Sequence, residues 1–130
     1  MTTIINAVSG TGLTQSADGS GIIKLQSNGK TTNALAWVNF NGTNGSIRAA
    51  YNVSSVTRSG TGTYVLNFTT AMSDNNYTVM ASGGSASGVQ YGAVTTASAT
   101  PTTTQASLVA FNTAPTVIDM AWMYAAVFGN

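Results

Sequence analysis

Short runs rich in Val, Ile, Thr, Tyr and Phe, each closed by a cluster of Gly, Asn or Ser, recur along the whole chain, and helical spacing of apolar residues is hard to find anywhere. That texture restricts the chain to an all-β fold, because β-branched and aromatic side chains suit a pleated surface and the clusters between them supply turns. Strands are predicted near residues 21–27, 34–41, 46–57, 63–70, 76–83, 88–97, 104–112 and 116–128. Side chains alternate across a strand. Over 46–57 this puts Ile47, Ala49, Tyr51 and Val53 on one face, expected to be core, and Arg48, Ala50 and Asn52 on the other. Likewise Tyr64, Leu66 and Phe68 oppose Val65, Asn67 and Thr69, and Tyr77, Val79 and Ala81 oppose Thr78 and Met80. Ser59-Gly60-Thr61-Gly62 and Ser73-Asp74-Asn75-Asn76 carry turn chemistry, so these three strands are expected to form an antiparallel meander of hairpins.

The final run breaks the alternation of apolar and polar. Val117, Ala121, Met123, Ala125 and Val127 line one face, and Ile118, Met120, Trp122, Tyr124 and Phe128 line the other. Both faces therefore need cover. Either the run is a central strand of a monomeric sandwich, or one face is a seam against a neighbouring copy, and the pattern weights these equally. A chain of 130 residues is expected to have one core. Residues 1–33 differ from the rest, with too few apolar side chains for a core of their own. They are read as an extended docking arm that orders along another surface, with Ile4, Ile5, Val8 and Leu13 as its contacts, and 34–130 as an antiparallel β-sandwich domain.

Charged residues make up only 5% of the chain, where about 25% is usual, so Thr, Ser, Asn and Gly must hydrate its surface. The net charge of +1 comes from Lys24, Lys30, Arg48 and Arg58 against Asp18, Asp74 and Asp119, too little to neutralise a phosphate backbone, and nucleic acid is set aside as a partner. The chain has no His, Cys or Glu, which removes the commonest general base, the thiolate nucleophile and zinc ligand, and the usual carboxylate pairs. No enzyme activity and no cofactor are expected. The three Asp fall in the arm, a turn and the last strand, where solvated or turn-capping roles are simpler than a convergent hydrolytic pair. The N-terminus lacks the basic and apolar regions of a secretory signal. The apolar run 118–128 is too short to cross a bilayer, so membrane insertion is not expected. Trp37, Phe40, Tyr51, Tyr91, Trp122 and Tyr124 offer ring faces for a saccharide, but strand parity puts most of them inside or at an interface. Tyr91, between Gly88 and Gly92, is the candidate glycan contact.

Four linked motifs carry a resemblance. The runs are Ala36-Trp37-Val38-Asn39-Phe40-Asn41-Gly42-Thr43, Ile47-Arg48-Ala49-Ala50-Tyr51-Asn52-Val53, Gly60-Thr61-Gly62-Thr63-Tyr64-Val65-Leu66-Asn67-Phe68 and Asn76-Tyr77-Thr78-Val79. Taken in order they resemble the C-terminal domain of bacteriophage tail-fibre proteins, closely over 34–82 and loosely beyond. The resemblance implies a sandwich-like knob, a homotrimer, a place on the virion after assembly in the host cytoplasm, and no catalytic residues to carry over. A threefold seam would cover the second apolar face of the last strand, making Met120, Trp122, Tyr124 and Phe128 the expected trimer interface. If Met1 opens the protein, an arm of about 30 residues spans at most ~110 Å, proportions that suit docking on other virion proteins as a capsid decoration. A short tail fibre or receptor-binding tip is the alternative. A carbohydrate-binding module on a host surface glycan is a third reading.

Overall fold

The computed structural model describes residues 25–84, 93–96, 101–114 and 116–129. These are all-β and antiparallel. The strands are β1 (Gln26–Ser27), β2 (Lys30–Thr31), β3 (Ala36–Phe40), β4 (Ile47–Tyr51), β5 (Val53–Gly60), β6 (Thr63–Phe68), β7 (Thr78–Gly84), β8 (Ala93–Thr96), β9 (Gln105–Phe111) and β10 (Trp122–Phe128). Strands β1 and β2 form a small hairpin, and the rest make two four-stranded sheets, ordered β4-β3-β10-β7 and β5-β6-β9-β8.

The inner faces of the two sheets share one core, a sandwich-like arrangement. Alternate residues point into it: Ala36, Val38 and Phe40 from β3, Tyr64, Leu66 and Phe68 from β6, Ala106, Leu108 and Ala110 from β9, and Met123, Ala125 and Val127 from β10. Phe40 meets Tyr64 edge-on between the sheets, with ring centroids 5.2 Å apart, and Phe68 meets Tyr77 in the same way at 5.7 Å. Such pairs add about 0.5–1.5 kcal/mol to the burial itself.

Three expectations are corrected. The predicted strand 46–57 is two strands in two sheets, divided at Asn52, whose φ of 54° is left-handed. The Asn52 side chain secures the break by donating to the carbonyls of Leu35 and Thr70, both at 3.1 Å, and accepting from the Thr70 N–H at 2.7 Å. Second, β4 carries a bulge. Asn39 pairs with Ala49 and Phe40 with Ile47, leaving Arg48 as an extra residue that flips the parity. Ala50 therefore packs on the core beside Val38, while Ala49 and Tyr51 face outward beside Asn39 and Trp37. Third, no meander joins the three middle strands. Strands β5 and β6 do form a hairpin, but β6 pairs next with β9, and the turn at 73–76 sends β7 across to pair with β10 in the other sheet.

Candidate functional site

The outward residues of the β4-β3-β10-β7 sheet form a surface that composition alone does not suggest. Cross-strand register sets its rows. One runs Tyr51, Trp37, Ala126, Met80; the next runs Ala49, Asn39, Tyr124, Ser82; Trp122 lies beside Gly84, and Phe128 beside Thr78. Among the described residues five large hydrophobic side chains are exposed, and four of them, Trp37 (42%), Met80 (64%), Trp122 (41%) and Tyr124 (42%), share this face. Scattered apolar residues are normal on a soluble surface, whereas a contiguous set marks a place of contact. Ala126 is the low point between taller neighbours, and an open depression of about 290 Å³ lies there, lined by Met80, Ala81, Ser82, Tyr124, Ala125 and Ala126.

Arg48 brings this face its one charge among the described residues. The bulge turns its guanidinium over the Trp122 ring, 3.9 Å from the centroid. There it donates to the Ala121 carbonyl at 2.8 Å and to Asn39 Oδ1 at 3.4 Å. A cation stacked on indole gains about 0.5–1 kcal/mol at an exposed site. The contact also fixes the Trp122 ring at the rim of the face.

The opposite outer surface, on the β5-β6-β9-β8 sheet, has different chemistry. Asn67 donates to Ser55 Oγ at 2.9 Å and to Thr57 Oγ1 at 3.2 Å, and accepts from Gln105 Nε2 at 2.8 Å. Amide and hydroxyl groups thus cover the Asn67–Gln105 end of that sheet, with Val65 and Ser107 in the next outward row.

Asp119 sets where β10 begins. Arg58 donates to its carboxylate through Nε (3.0 and 3.2 Å) and Nη2 (2.7 Å), the Gly62 N–H donates at 2.8 Å, and the Tyr64 hydroxyl at 3.0 Å. The Arg58 hydrogen bonds hold the Asp119 carboxyl below its ordinary range, with smaller help from Gly62 and Tyr64. Burial, then the bond to Asp119, pushes the Tyr64 phenol well above its usual range. Gly62 has to be glycine here: its φ is +62°, and a Cβ would stand 2.6 Å from the Ile118 carbonyl oxygen and from Val117 Cγ1. The clamp fastens 117–119 across the β5–β6 turn. Asp74 accepts from the Asn76 N–H at 2.7 Å within its own turn. Both described carboxylates are thus engaged, Asp18 lies outside the described residues, and among the described residues no three acidic, His or Cys side chains gather as a metal site would need.

The predicted seam residues divide. Trp122 and Tyr124 lie on the exposed face, with Phe128 half-buried on the same side. Met120 does not belong with them. It is fully buried in the core, its carbonyl accepts from the Gly42 N–H at 3.0 Å, and its sulfur packs over Gly83, where a Cβ would collide. The reason is that 116–121 is not strand: the Asp119 clamp pulls the backbone off the line of β10, so parity counted back from Tyr124 fails. The face also takes in Trp37, one of the aromatics that strand parity mostly puts inside or at an interface, and Met80, which parity sets outward, neither of them joined to the last strand by the sequence. The signal was an apolar Met80 in the outward set of its own strand. Ile4, Ile5, Val8, Leu13 and Tyr91 lie outside the described residues. Comparison of the chain with family models, with curated proteins and with solved structures returns no match.

Proposed function

We propose that the chain is a non-enzymatic structural protein of a bacteriophage exterior, a knob over residues 34–130 that forms a homotrimer through the outer face of the β4-β3-β10-β7 sheet. Residues 1–33 serve as the arm that docks it on other virion proteins, as a capsid decoration. The observation that carries the reading is the gathering of Trp37, Met80, Trp122 and Tyr124 on one face, 41–64% exposed in the lone subunit. A second copy is the occupant that suits this face. Its single charge among the described residues, Arg48, is already engaged by its own chain, so identical faces approach with little like-charge repulsion and offer little charge pattern for a different partner to complement. The motif resemblance over 34–82 supplies the trimer and the virion.

Sedimentation of the full chain tests the assembly. The expected mass is three times the 13.2 kDa of the chain, falling to one subunit in Met80→Arg/Tyr124→Arg with the far-ultraviolet circular dichroism retained. A parent protein that stays monomeric at tens of micromolar, on the order of ordinary weak-association thresholds, would overturn it. Cryo-microscopy of the parent virion then distinguishes capsid lattice from tail, where density at a fibre tip would favour receptor binding. The aromatic rows and the depression at Ala126 support a second reading, a glycan platform. On that reading the parent is monomeric and binds a glycan array, and Trp37→Ala or Tyr124→Ala abolishes the signal.

A further inference from the structure

The chain contains three Asn–Gly pairs, Asn28-Gly29, Asn41-Gly42 and Asn44-Gly45, which are chemically equivalent as sequence. Such pairs are the most reactive asparagines in proteins, because glycine has no Cβ to keep its nitrogen from the preceding side chain. The fold treats the three very differently. At Asn44 the side-chain oxygen accepts from the Ser46 N–H at 2.9 Å, and the Gly45 nitrogen is tied to the Asn41 carbonyl at 2.7 Å. At Asn41 the side-chain oxygen accepts from the Thr43 N–H at 2.9 Å, and the Gly42 nitrogen donates to the Met120 carbonyl at 3.0 Å. Both glycines are buried. In each pair, the electrophile and the nucleophile are separately held.

Asn28 and Gly29 form the tip of the β1–β2 hairpin, with φ of 50° and 74°, the two positive values that a two-residue turn of this hand requires. Both are exposed, nothing stands within 4 Å of a Cβ built on Gly29, and neither the Asn28 side chain nor the Gly29 nitrogen has a hydrogen-bond partner among the described residues. The ladder behind the tip is two pairs long, Gln26 with Thr31 and Ser27 with Lys30, closed at its base where the Thr32 N–H and hydroxyl donate to the Leu25 carbonyl and the Leu25 N–H to Asn33 Oδ1, all of it exposed or half-exposed. So short an exposed hairpin opens at little cost, which lets the Asn28 backbone rotate into the geometry for attack.

We infer that Asn28 is the site of spontaneous deamidation in this protein and that the fold protects Asn41 and Asn44. The Gly29 backbone nitrogen attacks Cγ of Asn28 and gives up its proton to the departing amide. The Cγ–N bond breaks, ammonia leaves, and a five-membered succinimide remains. Water then opens the ring at one carbonyl or the other, giving an aspartyl residue or its β-linked isomer. One water enters, one ammonia departs, and nothing is oxidised or reduced. The product carries a carboxylate, taking the net charge from +1 to neutral. The β-linked form lengthens the main chain by one carbon within the turn, which the Ser27–Lys30 pairing cannot absorb. The modification therefore unpicks the hairpin at the junction between residues 1–24 and the two-sheet core, and it does not depend on the assembly proposed above.

Trypsin separates the competitors, since cleavage after Lys24, Lys30 and Arg48 puts Asn28 in peptide 25–30 and the other two pairs in peptide 31–48. The native full chain is incubated at mildly alkaline pH and sampled over days. Peptide 25–30 is expected to gain about one dalton, with the β-linked product reported by an isoaspartyl methyltransferase, at least about tenfold faster than peptide 31–48. In denaturant the two peptides are expected to convert at comparable rates, and Asn28→Gln to abolish the native-state gain. Equal rates in the folded chain would overturn the assignment. So would a native peptide 25–30 that stays intact while the denatured chain converts.

Discussion

Asp119→Ala removes the acceptor on which the start of β10 depends, and its cost follows from what is left behind. The Tyr64 hydroxyl, on a side chain only 1% exposed, loses its acceptor, and so does the partly buried Gly62 N–H. An orphaned buried donor costs about 1–3 kcal/mol, and the second, where water enters more readily, about 1. The Arg58 ion pair, with side chains 32% and 20% exposed, adds little because solvent screens it. The expected loss is about 2–4 kcal/mol, or about 6–16 °C in melting temperature for a domain of this size. Asp119→Asn is expected to cost less, because the amide oxygen still accepts from both donors. Parent and Asp119→Asn also converge in acid. Asp119 titrates below its ordinary 3.8 in the folded chain, so the charge contributes stability above the unfolded value and loses it as pH falls through the folded one. The gap between parent and Asp119→Asn should hold from neutral pH down to about 5 and close below about 4. Calorimetry at fixed protein concentration reads this, since association would also move the melting point. An Asp119→Ala melt within about 2 °C of the parent, or an Asn variant as damaging as Ala, would refute the argument from buried donors.

Asn52 is tested by a pair: Asn52→Gly keeps the left-handed φ and loses the three side-chain bonds, for about 2 kcal/mol, while Asn52→Ala adds about 1–2 for the backbone. Urea unfolding in which Gly matches the parent would show that the side chain holds nothing. Met120→Ala is expected to cost about 2–5 kcal/mol as a core truncation, whereas Tyr124→Ala should shift sedimentation far more than the melting of the dissociated subunit; a mild Met120→Ala would reverse their placement.

Much of this fold is legible in strand parity. The inward sets Tyr64, Leu66, Phe68 and Met123, Ala125, Val127 are buried as alternation requires, because β6 and β10 run without interruption. Parity fails where one residue breaks the count. Arg48 is an extra residue in β4, and nothing in Ile47-Arg48-Ala49-Ala50 distinguishes a bulge from regular strand. Asn52 reads as an outward strand residue until its left-handed φ hands the chain from one sheet to the other. Met120 looks like part of the last strand because the anchor that diverts it comes from Arg58, Gly62 and Tyr64, about sixty residues earlier in the chain. The turn-capping reading of the carboxylates fits Asp74, but Asp119 binds Arg58, Gly62 and Tyr64 instead of its own turn. The pairing of β10 with β3 and β7 is equally non-local, so the two apolar faces of the last strand were visible in sequence while the strands beside it were not.

The position of β10 decides what those outward side chains mean. Flanked by β3 and β7, it lies inside its sheet, so Tyr124 and Ala126 stand over the middle of the face, with strands on both sides. Edge residues of a small sheet are readily covered by the domain's own loops; the centre of an outer face takes a body of comparable breadth. The same chain covers one end of its other sheet with Asn67, Ser55, Thr57 and Gln105, so polar cover of an outer face lay within its chemistry. Placing Trp37, Tyr124 and Met80 across the first sheet instead costs solubility in a chain with only 5% charged residues to compensate. Arg48 stacks on Trp122 and bonds to Ala121 within the lone subunit, so the one charged group at the rim has little ordering left to lose when the face is covered. A face that is apolar at its centre and already ordered at its rim suits lasting contact, and this is the physical content of the proposal that the protein is a subunit of an assembly.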